Sequence, residues 1–220
     1  LDAGDSFGRR VDISGSRAII GAPLDDDAGA NFGAAYAFEL VAGTWVQAAK
    51  IPAPPSVVPL NGQINCGVDV AIEGDEVFMG CNRDGQFGSF AGSAHVYDAA
   101  SSYAFVQTLV PTLGTQGCAL NFFGSSIDID GGRAIVAANS RQSGGSCTSE
   151  IYFYEKSGGT WTETDTAVKA INLFGNGVAI DGDFAIASSR VEQCAYVYQW
   201  DGAAWQEIQT ILDPGVGANF

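Results

Sequence analysis

The feature that most constrains this chain is that it is written four times over. Ser6-Phe7-Gly8, Asn65-Cys66-Gly67, Phe122-Phe123-Gly124 and Leu173-Phe174-Gly175 each precede a run of alternating apolar residues, and Ala218-Asn219-Phe220 begins a fifth unit. A period of roughly 50 residues changes the meaning of every residue within it, because each unit is one supersecondary structure that buries its faces only against its neighbours. The repeats run approximately over residues 1–60, 61–116, 117–168 and 169–211, with 212–220 starting a further one.

Each unit contains the same four phrases. An alternating strand (Val11-Asp12-Ile13, Val70-Ala71-Ile72, Ile127-Asp128-Ile129, Val178-Ala179-Ile180) ends in a turn at Ser14-Gly15, Glu73-Gly74, Asp130-Gly131 or Asp181-Gly182. Glycine accepts positive φ, so a residue-plus-Gly pair between apolar runs is a hairpin signal. A second apolar strand follows directly, then a polar, Gly-rich loop. A third strand has aromatics at period two: Tyr36/Phe38, His95/Tyr97, Tyr152/Tyr154 and Tyr196/Tyr198. The fourth phrase, Trp45-Val46-Gln47 and its counterparts at Phe105, Trp161 and Trp205, is the outer strand. Four short antiparallel strands per unit, with aromatic and Gly motifs recurring once per unit, predict an all-β fold: a β-propeller of four-stranded blades, present here as one domain or a segment of one. Phe7-Gly8 with Gly21-Ala22-Pro23, and the Phe123-Gly124 and Phe174-Gly175 half-motifs, resemble the FG-GAP repeat family, which includes the propeller of integrin α chains.

The second unit departs from that pattern in an informative way. Centring its turn on Glu73-Gly74 places Cys66 opposite Cys81 across the hairpin, where Phe123 faces Ala138 and Phe174 faces Ser189; the same rule pairs Phe7 with Ala22. Facing positions in a sheet bring Cβ atoms within disulfide reach, so a Cys66–Cys81 bridge is predicted. A second bridge, Cys118–Cys147, is plausible within the third unit. Cys194, aligned with Ala34 and Ser93, is left to be buried, to exchange roles with Cys147 or to bridge another chain.

Composition excludes some partners. Lys and Arg number 10 against 25 Asp and Glu, a formal charge of −15, which repels a phosphate backbone or an anionic lipid surface. No apolar run reaches the length of a membrane span. Nucleic acid and membrane insertion are therefore not expected. Five cysteines suggest an oxidising compartment, extracellular or at the cell surface, and the sequence has no Asn-x-Ser/Thr acceptor for N-glycosylation.

The resemblance implies calcium in an acidic DxDxDG loop between first and second strands. Here that connection has shrunk to a two-residue turn, too short to supply six to eight oxygens, so calcium is not expected at the usual family site. A different run, Asp25-Asp26-Asp27, lies between the second and third strands of unit one; it reads as a solvated turn or as a divalent cation site, and the loops at Asn82-Arg83-Asp84 and Asn139-Ser140-Arg141 contain Arg and fewer acids. The sole His, His95, occupies the position of Tyr36, Tyr152 and Tyr196 and reads as a packing residue. Asp12, Asp69 and Asp128 recur near the first strand and read as structural, with nothing selecting a catalytic carboxylate pair. Trp45, Phe105, Trp161 and Trp205 share a position, read as inter-blade core; Trp200 stands outside that series and is the candidate ligand contact. No cofactor is implied.

The chain starts and stops at nearly the same phase of the repeat, the expectation for a segment of a longer repeat protein or larger ring. The reading is a non-catalytic, extracellular structural or adhesion module with protein or glycan partners and a capacity for self-assembly. A lectin or carbohydrate-active enzyme, and a subunit of an extracellular filament, are the alternatives.

Overall fold

Sixteen strands make four antiparallel sheets in this computed structural model, which describes residues 2, 4–59, 61–88, 91–112, 121–140, 148–171 and 173–215. Blade 1 comprises β1 (Val11–Ser14), β2 (Arg17–Ala22), β3 (Ala34–Val41) and β4 (Thr44–Pro52); blade 2 comprises β5 (Cys66–Glu73), β6 (Glu76–Cys81), β7 (Ser93–Asp98) and β8 (Ala104–Leu109). Blade 3 holds β9 (Phe123–Asp130), β10 (Arg133–Ala138), β11 (Ser149–Ser157) and β12 (Thr160–Lys169); blade 4 holds β13 (Phe174–Asp181), β14 (Phe184–Ser189), β15 (Cys194–Trp200) and β16 (Trp205–Leu212). In each sheet the strands lie in chain order, inner to outer, and the one helical element among the described residues is a 3-10 turn at Ala99–Ser101. This is the predicted all-β blade architecture.

Period-two alternation sends successive side chains to opposite faces, and each face packs on a different neighbour. Ile19, Ala35, Ala37 and Ile51 of blade 1 meet Val70, Ile72, Val77 and Met79 of blade 2. Phe78, Val96 and Leu109 of blade 2 meet Phe123, Ile127, Ile129 and Trp161 of blade 3. Ile135, Ala137, Ile151 and Phe153 then meet Phe174, Ile180, Ala187 and Trp205 of blade 4. Among the described residues no apolar cluster joins blade 4 to blade 1; Ala22, Ala34 and Tyr36 form a small cluster of blade 1 alone.

Close approach of the blades is set by glycine. A Cβ on Gly21 would stand 2.1 Å from the Gly67 carbonyl oxygen, and one on Gly80 would stand 2.0 Å from that of Gly124. Backbone therefore rests on backbone where the start of one blade meets the second strand of the blade before it, an approach only glycine permits. In the third interface Ala137 replaces the first glycine, and a Cβ on Gly175 would come to 2.8 Å from the Ala137 methyl.

The Cys66–Cys81 disulfide is formed, and Cys66 pairs with Cys81, Phe123 with Ala138 and Phe174 with Ser189. The turn is nonetheless centred one residue later than the sequence indicates, on Gly15-Ser16 and Gly74-Asp75, with Ser14 opposite Arg17 and Glu73 opposite Glu76. A bulge in the hairpins of blades 2, 3 and 4, between Val70 and Cys66 in blade 2, absorbs the offset and restores the expected pairs. In blade 1 the ladder begins only at Val11, so Phe7 has no strand partner at Ala22; its ring lies edge-on to Tyr36 at 5.4 Å. The Cys118–Cys147 pair and residues 216–220 lie outside the described residues.

Candidate functional site

The inner strands β1, β5, β9 and β13 carry the recurring carboxylates. Asp12 Oδ2 accepts the Ile72 amide at 2.7 Å, Asp69 Oδ2 accepts that of Ile127 at 2.9 Å and Asp128 Oδ2 accepts that of Ile180 at 2.7 Å. Each donor belongs to the next blade. At the turns Ser14, Glu73 and Asp130 likewise accept the amides of Gly74, Gly131 and Gly182. Asp69 is not the counterpart of Asp12 and Asp128, which pair with Ile19 and Ile135; that register position in blade 2 is Ala71, opposite Phe78. Asp69 stands two residues earlier, in the place of Ser126, whose hydroxyl accepts the Val178 amide at 3.2 Å.

These groups border a cavity of about 350 Å³ between the inner strands, with Arg10 at its wall. Burial pushes the Asp69 carboxyl up to about 6, against the opposing effects of the Ile127 amide, the Arg10 charge, Ser126 and the Val70 amide. Burial also raises Asp128, helped by the charges of Asp12 and Asp130 and opposed by the Ile180 and Ile129 amides. A carboxylate with both oxygens on backbone amides is fixed in place, and its chemistry here is to hold one blade to the next.

A second set lies in the loops after the second strands. Asp25 is buried, accepts the Tyr36 hydroxyl at 2.6 Å and receives the Lys50 ammonium at 2.8 Å; Asp27 binds the same ammonium. The positive charge among these aspartates is thus Lys50, while Asp26 is exposed. Burial raises the Asp25 carboxyl, but hydrogen bonds from Lys50, Tyr36 and the Asp27 amide outweigh it and leave it below the usual range. Burial lowers Lys50, yet the bonds to Asp25, Asp27 and Tyr36 and the Asp25 charge leave it above the ordinary lysine value. No group of three or more His, Cys, Asp or Glu side chains able to hold a metal ion occurs among the described residues.

The run of three aspartates does not recur, but a single acid bonded toward the third strand does, in blades 2 and 4. Asp84, three residues past Cys81 as Asp25 is past Ala22, accepts the Ser93 hydroxyl at 2.8 Å, and Ser93 Oγ lies 2.9 Å from His95 Nε2. His95 Nδ1 lies 3.1 Å from the Thr108 hydroxyl, and Thr108 holds the register place of Lys50. His95 is fully buried, and burial lowers its pKa to about 4 against the pull of Asp84, so the ring is neutral near pH 7. In blade 4 Glu192 accepts the Tyr196 hydroxyl, and Lys169 sits 4.0 Å from the Tyr196 ring centre. The detectable signal was an acid three residues past the second strand, paired with the first aromatic of the third; Asn82-Arg83 obscured it. Cys194 is free and partly exposed rather than buried, with its Sγ 3.8 Å from the Glu192 carboxylate.

The aromatics divide. Trp161 is buried edge-on to Phe78 at 5.0 Å, and Trp205 stacks on Phe153 at 4.6 Å, both across interfaces as predicted. Trp45 and Phe105 are exposed. Trp200 is partly buried, 5.9 Å from Trp205, with the Arg133 guanidinium 5.1 Å from its ring, so a side chain of the protein already covers it. Exposed Phe105 instead helps line an apolar groove of about 480 Å³ between blades 1 and 2, with Tyr97, Tyr103, Pro54 and Pro55. Nothing in the repeat pattern marks this groove, because Pro54 and Pro55 belong to a linker without counterparts.

Residues 1–38 match the model of the family described as FG-GAP repeat. The Phe7-Gly8 and Gly21-Ala22-Pro23 of this chain fall in blade 1, but the glycine of the second half, Gly21, touches Gly67 of the next unit. The FG-GAP motif is therefore satisfied between blades as well as within one. No curated protein matches the sequence. Among solved structures, a candidate 6-phosphogluconolactonase from Bacteroides uniformis ATCC 8492 superposes with a TM-score of 0.63 at 13% identity, over 93% of this chain and 57% of that one. A functionally unknown protein from Desulfotomaculum acetoxidans DSM 771 gives 0.59 at 15% identity, over 97% and 60%. These likenesses show the fold, and this chain spans under two thirds of the length of either structure.

Proposed function

We propose that the protein is a non-catalytic, extracellular β-propeller module with a structural or adhesive role, presenting its loops and the groove between blades 1 and 2 to protein or glycan partners. The observation that carries this reading is the use of the recurring acids. Asp12, Asp69 and Asp128 each hold the backbone of a neighbouring blade, so these inner-strand carboxylates are committed to assembly. The Cys66–Cys81 bridge supports an oxidising location. A carbohydrate-binding role is favoured by one feature, the exposed Phe105 beside Tyr103 in the groove, because aromatic faces stack on sugar rings.

The test is incubation of the purified protein with a panel of neutral and acidic polysaccharides, reading reducing-end release and co-sedimentation together. The module reading expects no release, and Phe105→Ser to weaken whatever co-sediments while Asp69→Asn and Asp128→Asn leave it unchanged. Sugar release that disappears in Asp69→Asn or Asp128→Asn would overturn it in favour of a carbohydrate-active enzyme.

A further inference from the structure

The groove between blades 1 and 2 is made by departures of blade 2 from the other blades. In strand register Phe105 opposes Tyr97, at the place where the other blades carry Gln47, Glu163 and Glu207. A polar residue elsewhere is thus an aromatic here, and it is 53% exposed with blade 1 before it and blade 3 after it. Tyr103, two residues earlier, takes the place of Trp161 and Trp205 and packs into the core shared with blade 1. Tyr97 lines the groove as well. Its counterpart Tyr154 donates its hydroxyl to the Val110 carbonyl at 3.4 Å, in the linker that precedes blade 3, whereas the buried Tyr97 hydroxyl has no hydrogen-bond partner. The linker that precedes blade 2 runs along the groove wall through Pro54 and Pro55.

The chemistry of this lining selects its occupant. Its side-chain polar groups, apart from one ammonium, are the hydroxyls of Ser56, Ser102, Tyr97 and Tyr103. Among the described residues that line it the one charged side chain is Lys50, and Asp25 and Asp27 already bind that ammonium. Nothing in the groove therefore answers a charged ligand, and the formal charge of −15 repels an acidic one. A sugar ring carries a hydroxyl on most of its carbons, and each one buried without a partner costs free energy that Phe105 alone does not offset. A proline-rich segment makes fewer demands. Its prolines have no N–H to satisfy, its carbonyls are acceptors, and its left-handed helix of three residues per turn is formed before it binds, which suits an aromatic-lined groove.

We propose that the groove takes an uncharged, proline-rich segment of a partner protein in the polyproline II conformation. Its rings lie against Tyr103 and Phe105, and its carbonyls are offered to the hydroxyls of Tyr97, Ser56 and Ser102. The proposal rests on the reading of the protein as a non-catalytic binding module and names the class of its partner.

The experiment is isothermal titration calorimetry of the 220-residue protein with a capped proline decamer, a capped Gly-Ser decamer and cellohexaose. The proline decamer is expected to bind saturably with a Kd below about 1 mM, and the other two to give no binding heat. Phe105→Gln, which installs the residue of blade 1 at that place, is expected to weaken the proline decamer at least tenfold and to melt as the parent does, because Phe105 is exposed. Val106→Gln, exposed on the same strand but outside the groove lining, is expected to leave binding unchanged. No heat from the proline decamer, binding that survives Phe105→Gln or falls equally in Val106→Gln, or binding of cellohexaose in its place would overturn the proposal. The module reading is lost on a different result, the carboxylate-dependent release of sugar described above, so either can fail without the other.

Discussion

Replacing Gly80 by Ala tests whether backbone-to-backbone contact sets the spacing of the blades. Gly80 lies in β6 without positive φ, so the change carries no penalty from a left-handed backbone, and in a strand alanine is otherwise favourable. The added methyl would sit 2.0 Å from the Gly124 carbonyl oxygen and 3.0 Å from its carbon. A close carbon-to-oxygen contact runs about 3.3 Å, so the two backbones must part by roughly 1.3 Å. A gap of that size forfeits about half of the dispersion energy along the contact between Phe78 and Ile127, Ile129 and Trp161. Overpacking of this kind costs about 3 kcal/mol, the upper end of its usual range. For a chain of this length that lowers Tm by about 6 to 12 °C. Gly182→Ala is the control: its φ is +55° and nothing lies within 4 Å, so only the left-handed penalty of about 1 kcal/mol applies, worth about 2 to 4 °C. Thermal melting by circular dichroism on both variants decides the matter. If Gly80→Ala melts no lower than Gly182→Ala, glycine at the interface is not what sets the spacing.

Three further outcomes are expected. Reducing the Cys66–Cys81 bridge, which closes a short loop with a sequence separation of 15, should lower unfolding free energy by about 3 kcal/mol in urea titrations, and Cys66→Ser with Cys81→Ser should reproduce the loss. Lys50→Met leaves the buried Asp25 without its cation and should cost about 2 kcal/mol at neutral pH, recovered in part by Asp25→Asn in the same chain. The pH dependence has two opposed contributors. His95, depressed to about 4 from 6.5, takes up its proton more readily when unfolded, so its contribution to stability is lost as pH falls from 6.5 to 4. Asp69, raised to about 6 from 3.8, holds its proton more readily when folded, so its contribution declines as pH rises from 4 to 6. His95→Gln should therefore flatten the acid limb of a stability-against-pH curve and Asp69→Asn should steepen it; changes of the opposite sign would refute the assignment.

The repeats, the strand order and the disulfide were legible because period-two alternation and recurring turn glycines are local signals that four copies reinforce. The turn position was read one residue early, yet the cysteine pairing came out right, because the bulge between Val70 and Cys66 compensates. A bulge leaves no mark on alternation beyond a shift of two, which preserves the face. Trp161 and Trp205 were legible as core, whereas Trp45, at the same register, is exposed with no described blade before it. Phe105 opposes Tyr97, the register place of Gln47, Glu163 and Glu207, so aligning it with the tryptophans was two places off. Lys50 escaped notice as the partner of Asp25 because the two are brought together only by the pairing of β3 with β4. Asp84 and His95 are joined through Ser93, a residue no motif singled out.

The hydrogen bonds that link blades all run one way along the inner strands: an earlier blade offers the side-chain oxygen and a later blade offers the amide. A polypeptide made from its N-terminus presents Asp12 before the Ile72 amide exists, and Asp128 before that of Ile180. Every new blade is thus made after the acceptor its amide will meet, and N-terminal-first synthesis can build the stack in chain order. Reversing the order of the units, with every strand kept intact, would deliver the donors first and leave each growing end with its carboxylates still to come.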